Sequence, residues 1–215
     1  MLSQSPIRVV LADDHSMVRE ALARILNDSG VVTVVGQASD GMEAIRMVET
    51  TDPECIVLDY SMPKLDASAV IESLLRRQTS VKILVLTVHE NIHYAIRVLE
   101  SGAHGYMIKS AAVDELVQAI SVVARGEVYI SPQVSQQVWA QLRRPKRDRE
   151  GLESLSQREF DALRILGSGA SLQDCAQRMK VSVSTVSTYR ARILDKLNLT
   201  TTAALIRFAL ENDIK

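Results

Sequence analysis

Apolar and polar positions in the first 128 residues switch between two periods. Ile7–Ala12 is a short apolar run, the length of a strand and too short for a helix. His15–Leu26 carries Val18, Ala21, Leu22, Ile25 and Leu26 at helical spacing and stops near Gly30. The pairing repeats four times. Strands are predicted at 31–37, 55–59, 82–88 and 105–108, and helices at 41–49, 66–77, 94–100 and 113–125. Five such units predict an α/β fold: a doubly wound, five-stranded parallel sheet in the order 2-1-3-4-5, with helices on both faces. Cys55–Leu58 is continuously apolar, as in a central strand covered on both sides. It ends in Asp59, and Pro63 prevents the ladder from continuing.

Beyond residue 130 the pattern is purely helical. Pro132–Leu142 predicts a helix with proline in its first turn. Arg143–Glu150 is charged, contains Pro145 and has no periodicity, so it reads as a linker. Four helices follow, over 157–167, 172–179, 183–197 and 201–211, with Gly167 and Gly169 separating the first two. The expected division is 1–128, an α/β domain; 129–153, a linker with a helix; and 154–215, a small all-α domain.

Charge sharpens this division. The net charge of −1 over 215 residues hides 11 Lys and Arg against 17 Asp and Glu in 1–128, and 14 against 9 in 129–215. A net of −6 followed by +5 points to an acidic half and a basic half that meets nucleic acid. No apolar run approaches the ~20 residues of a membrane span. No basic segment with an apolar core opens the chain, so no secretory signal is expected. Cys55 and Cys175 lie within apolar patterns and read as reduced core residues of a cytoplasmic protein.

The candidate chemistry lies at the strand ends. The first strand ends in Asp13-Asp14, the third in Asp59, the fourth in Thr87 and the fifth in Lys109. A parallel sheet brings these ends to one edge. Three carboxylates there repel one another unless a cation joins them, and an all-oxygen site suits Mg²⁺. A hydroxyl and an ammonium opposite them suit phosphoryl oxygens, and a carboxylate so placed accepts a phosphoryl group as an acyl phosphate. His15 follows the acid pair and reads as a surface or helix-start histidine rather than a metal ligand, because no Cys/His spacing of a zinc site surrounds it. His89, His93 and His104 read as loop or helix-face residues.

Residues 5–126 resemble the receiver domain of two-component response regulators through Asp13-Asp14, Asp59 followed by Met62-Pro63, Thr87, Tyr106 and Lys109. The resemblance implies that Asp59 accepts a phosphoryl group from a histidine kinase. It implies Mg²⁺ held by Asp14, Asp59 and the Ser61 carbonyl, with Asp13 acting directly or through water. Thr87 and Lys109 would bind phosphoryl oxygens, and Tyr106 would be an aromatic switch that turns inward. Ser61 and His89 border the phosphoryl position in that family. The sequence departs from it at Lys64 and Ala67, where glycine is frequent, and at Ser110, where proline usually follows the lysine.

Residues 154–215 resemble the LuxR-type helix-turn-helix domain of the NarL/FixJ family. The resemblance runs through Leu155–Glu159, Gly169–Ser171, Ala176–Met179, Val181–Tyr189, Ile193 and Lys196-Leu197. Ser182 and Ser184 are N-cap candidates for the 183–197 helix. At 100° per residue Val186, Ile193 and Leu197 share its packing face, while Thr188, Ala191 and Asp195 lie opposite, flanked by Ser187 and Arg192. The expected DNA-contacting set is Ser184, Ser187, Thr188, Arg190, Ala191, Arg192 and Lys196. Ser187 and Tyr189 stand where the family often has lysine and histidine.

The expectation is a transcription factor switched by phosphorylation, pairing on double-stranded DNA. It is a phosphoacceptor with at most slow self-dephosphorylation, served by a sensor kinase or acetyl phosphate. An aspartyl-phosphate hydrolase acting on a small substrate is the first rival reading. A nucleotide-binding α/β protein is the second, although Asp13-Asp14-His15-Ser16 lacks a glycine-rich phosphate loop.

Overall fold

Six apolar stretches form one parallel sheet: β1 Ile7–Ala12, β2 Val32–Ala38, β3 Cys55–Asp59, β4 Lys82–Thr87, β5 Gly105–Ile108 and β6 Tyr129–Ile130. The strand order is β2-β1-β3-β4-β5-β6. The computed structural model describes residues 5–62, 65–88, 91–110, 113–143 and 151–214. Pro63, Lys64, His89 and the linker residues 144–150, all singled out above, lie outside the described residues. By contact the chain divides into two units, Met1–Trp139 and Ala140–Lys215.

In the first unit the five predicted strands take the predicted order, and β6 extends the sheet. Its two residues pair in parallel with Gly105 and Tyr106 of β5. Two residues carry no readable period, so the strand becomes visible only through its partner. Every residue of β3 is buried, as a central parallel strand requires. Alternation sends Val9, Leu11, Val57, Leu84, Leu86 and Met107 into one cluster with Leu26, Ile120 and Val123. Those partners belong to α1 Ser16–Asp28 and α5 Val113–Ala124. Each fully buried Leu, Ile or Val contributes about 1.5–3 kcal/mol. Between them come α2 Gly41–Thr51, α3 Ala67–Arg76 and α4 Ile92–Glu100, and α6 Pro132–Leu142 follows β6.

Short polar side chains start the helices. Asp40 accepts the Glu43 amide at 2.9 Å, Asp66 the Ala69 amide at 3.0 Å and Asn91 the His93 amide at 3.0 Å. His15 occupies the N-cap position of α1, but its side chain makes no capping hydrogen bond.

The second unit holds a 3-10 turn at Gly151–Ser154 and helices α7 Gln157–Gly167, α8 Leu172–Met179, α9 Val183–Lys196 and α10 Thr202–Glu211. Capping boxes open α7 (Ser156 with Glu159) and α8 (Ser171 with Asp174). Lys180 takes a left-handed conformation and ends α8. Ser182 then caps α9 by accepting the Thr185 amide at 3.1 Å, which settles the choice between Ser182 and Ser184. Gly167 falls where the sequence reading ended the helix. It is the last residue of the helix, and an added Cβ there would lie 2.5 Å from the Ala209 Cβ of α10. The break falls at Gly169, whose φ of +87° favours glycine. Among the described residues no helix is long and apolar enough to cross a membrane.

Candidate functional site: an acidic pocket and a recognition helix

Strand register builds the pocket. Ala12 stands beside Leu58, Asp59 beside Leu86 and Thr87 beside Ile108. The next residue of β1 and of β5 therefore brings Asp13 and Lys109 to the edge that holds Asp59 and Thr87. The backbone fixes the rim: the Asp13 amide donates to Ala38 at 3.1 Å, Tyr60 to Leu86 at 3.0 Å and Lys109 to Thr87 at 2.6 Å. Asp13, Asp59 and Thr87 are buried, whereas Asp14 is exposed.

The Lys109 ammonium bridges two acids, 2.7 Å from Asp13 Oδ2 and 3.0 Å from Asp59 Oδ2. Burial pushes the Asp59 carboxyl above the usual range; Lys109 pulls it back in part, and the Asp13 charge raises it again. Burial opposes the charge on Lys109, but its bonds to Asp13 and Asp59 prevail, and its pKa rises. One ammonium thus neutralises part of a three-carboxylate cluster and leaves an anionic excess. The donor set fits a hard divalent cation: Asp13, Asp14 and Asp59 offer oxygens, with His15 beside them, all within 4.8 Å of one another.

Arg19 was not foreseen beside the pocket, and His15, read as a surface or helix-start residue, also meets the acids. Arg19, one turn into α1, donates to the Asp13 carbonyl at 2.6 Å. His15 lies against both Asp13 and Asp14. A basic residue five positions after the acid pair was the available signal for Arg19. Tyr106 is fully buried, hydrogen-bonded to Thr87, and burial raises its pKa far above the usual phenol value. Tyr60, next to Asp59, meets Tyr94 of α4 edge to face at 4.8 Å. His93 is held neutral, its pKa pushed down to about 4 by burial and by Arg97. His104 Nδ1 accepts the Ile83 amide at 3.3 Å.

In the second unit Val186, Ile193 and Leu197 are buried on the packing side of α9. Ser184, Thr188, Ala191 and Arg192 are exposed, while Ser187 and Arg190 are half-buried. Thr188 Oγ1 donates to the Ser184 carbonyl at 3.1 Å. The Arg190 Nε is buried with no hydrogen-bond partner. Lys196 departs from expectation. Its ammonium lies 2.7 Å from Glu159 Oε2, donates to the Ser154 carbonyl at 3.0 Å, and ties α9 to α7 and the 3-10 turn. Glu159 is only 2 % exposed. Burial disfavours its charge, but Lys196 and Ser156 hold its pKa below the ordinary value. Lys196 thus pairs with a buried acid of α7 while its residue remains exposed.

An acidic pocket on a parallel sheet, joined to helices with a short turn between α8 and α9, defines a two-domain regulator with a helix-turn-helix. Comparison with known families agrees: residues 9–121 match the response regulator receiver domain, and 153–209 match the bacterial regulatory proteins of the luxR family. The chain belongs to the NarL/FixJ-type response regulators, with a receiver followed by a LuxR-type DNA-binding domain. It is 34% identical over 206 residues to the response regulator GacA of Pseudomonas aeruginosa, covering 96% of each chain. It is 33% identical to the response regulator UvrY of Escherichia coli K12, covering 97% of this chain and 95% of the relative. Among solved structures it resembles RcsB of Salmonella enterica serovar Typhimurium bound to the promoter rprA with the phosphomimetic BeF3−. That likeness has a TM-score of 0.72 and 25% identity, over 94% of this chain and 98% of the other. The receiver domain of NarL from Mycobacterium tuberculosis covers 57% of this chain and 99% of its own, with 32% identity and a TM-score of 0.56.

Proposed function

We propose that Asp59 is the phosphoacceptor and that its phosphorylation controls DNA binding. The observation that carries this reading is the Lys109 ammonium shared between Asp13 Oδ2 and Asp59 Oδ2. An oxygen of Asp59 attacks phosphorus, the bond to the donor's leaving group breaks, and an acyl phosphate forms. The donor is a sensor histidine kinase or acetyl phosphate. Lys109 then has a phosphoryl oxygen to hold in place of the carboxylate. The Thr87 hydroxyl takes a second oxygen, and Tyr106 secures the shifted Thr87 from below. Asp13, Asp14, Asp59 and the Ser61 carbonyl would hold Mg²⁺, which would supply the positive charge that lets an anion approach three acids. Loss of the phosphoryl group is slow self-dephosphorylation rather than turnover of a substrate.

The domains are 1–128 for the receiver, 129–153 for the linker and 154–215 for DNA binding, in a cytoplasmic protein. Two copies pair on double-stranded DNA, each laying α9 in a major groove, with half-sites about 10 bp apart. Ser184, Thr188, Ala191 and Arg192 form the reading face, Ser187 and Arg190 flank it, and Lys196 braces it from behind.

Labelling with acetyl phosphate and Mg²⁺, read by intact mass, tests the acceptor. Wild type gains one phosphoryl group and Asp59→Asn gains none. Labelling of the variant at one residue would reject Asp59, and multiple turnover of small phosphate esters would favour a hydrolase instead. Promoter binding with and without beryllofluoride tests control, and equal affinity would refute it.

A further inference from the structure

We propose that His15 is a nitrogen ligand of the cation in the acidic pocket, biasing that site toward Mn²⁺ relative to Mg²⁺. The proposal rests on the pocket being the cation site described above. Its starting point is how the two oxygens of Asp13 are used. Oδ2 faces Lys109 at 2.7 Å. Oδ1 faces His15, accepting its backbone amide at 2.8 Å and lying 3.2 Å from its Nδ1. The same Nδ1 stands 2.9 Å from Asp14 Oδ1. One ring nitrogen therefore converges on Asp14 and on the Asp13 oxygen that Lys109 does not hold.

His15 has no capping role, and among the described residues its Nδ1 meets only the two acids of the pocket. It stands at the N-cap of α1, where Ser, Thr, Asp or Asn would accept a helix amide, yet its side chain caps nothing. It is turned back onto Asp13 and Asp14 and remains 67% exposed, so the pocket opens to solvent beside it. Donor atoms of Asp13, Asp14, His15 and Asp59 fall within 4.8 Å of one another, so a shift of a few tenths of an ångström closes them into one coordination shell about 4.2 Å across.

Donor chemistry predicts the preference. An oxygen-only pocket suits Mg²⁺, which dehydrates reluctantly and demands near-ideal octahedral geometry. An imidazole is a softer donor, favoured by first-row transition ions, and replaces one of the waters that Mg²⁺ tends to keep. A pocket with one nitrogen and several carboxylates therefore gains more for Mn²⁺ than for Mg²⁺.

The test is direct binding to the full chain, with pulsed electron paramagnetic resonance on the Mn²⁺-loaded protein. Wild type should show nitrogen modulation from one imidazole, absent in His15→Ala. Mn²⁺ affinity should fall about tenfold in that variant, while Mg²⁺ affinity changes less than twofold. Asp14→Ala should weaken both ions. Mn²⁺ bound without nitrogen modulation in wild type would overturn the role of His15 and leave the acidic pocket standing. Metal binding unaffected by Asp14→Ala would overturn the pocket together with its fourth ligand. Thermal melts of His15→Ala without metal should match wild type, since no capping bond is lost.

Discussion

The ammonium of Lys109 lies 3.0 Å from the carboxylate of Asp59, across the gap between β5 and β3. Two strands that are not sheet neighbours thus share one charge, and β4 between them contributes Thr87. Lys109→Ala should slow acyl-phosphate formation by about 10²-fold, the usual cost of losing one group aimed at developing charge. Timed acetyl phosphate labelling checks this; an unchanged rate would remove Lys109 from the phosphoryl site.

Burial holds the Asp59 carboxyl above its ordinary range. An acid raised on folding binds more protons folded than unfolded, so its contribution to stability falls as pH rises from the ordinary value through the raised one. Asp59→Asn removes that cost. In EDTA the variant should melt about 3 °C above wild type at pH 7, and the difference should close below the ordinary carboxylate range. Calorimetric melts at both pH values decide it; a lower melting temperature for the variant at pH 7 would contradict the burial argument.

Two cations of α9 four residues apart should behave differently. Arg192 is exposed; Arg192→Ala should weaken promoter binding across all sequences and reduce the salt slope by about 1. Lys196 is tied to Glu159 and Ser154; Lys196→Met should leave the salt slope unchanged and destabilise the helical unit by about 2 kcal/mol. Salt titration of DNA binding, paired with urea unfolding, separates the two roles.

Gly167→Ala should destabilise the helical unit by about 1–3 kcal/mol, even though alanine is the better helix former. The added methyl would meet Ala209 Cβ at 2.5 Å, a group that cannot swing aside. Gly167→Ala with Ala209→Gly should recover much of the loss. Denaturant unfolding of both variants checks it, and a stabilised single variant would exclude the close approach of α7 and α10.

Periodicity made the element order legible, because burial selects side chains at intervals of two or 3.6. The pocket was legible for the related reason that parallel strands deliver their ends to one edge. Asp13, Asp59, Thr87 and Lys109 could be grouped before any coordinate. Residues with two readings were not settled this way. Gly167 looks like a helix breaker in sequence and is a contact between helices. Lys196 reads as a phosphate contact in sequence, and the structure adds an ion pair with Glu159, 37 positions earlier.

The sequence by itself determined the sheet order, the helical second unit, the acidic rim and the packing face of α9, since each follows from local spacing. Tertiary structure alone decided that β6 pairs with β5, that Lys196 pairs with Glu159, that Tyr106 is buried against Thr87 and that His15 turns back on two acids. Each of these depends on a partner distant in the chain or on a rotamer chosen by its surroundings, and a one-dimensional pattern carries neither.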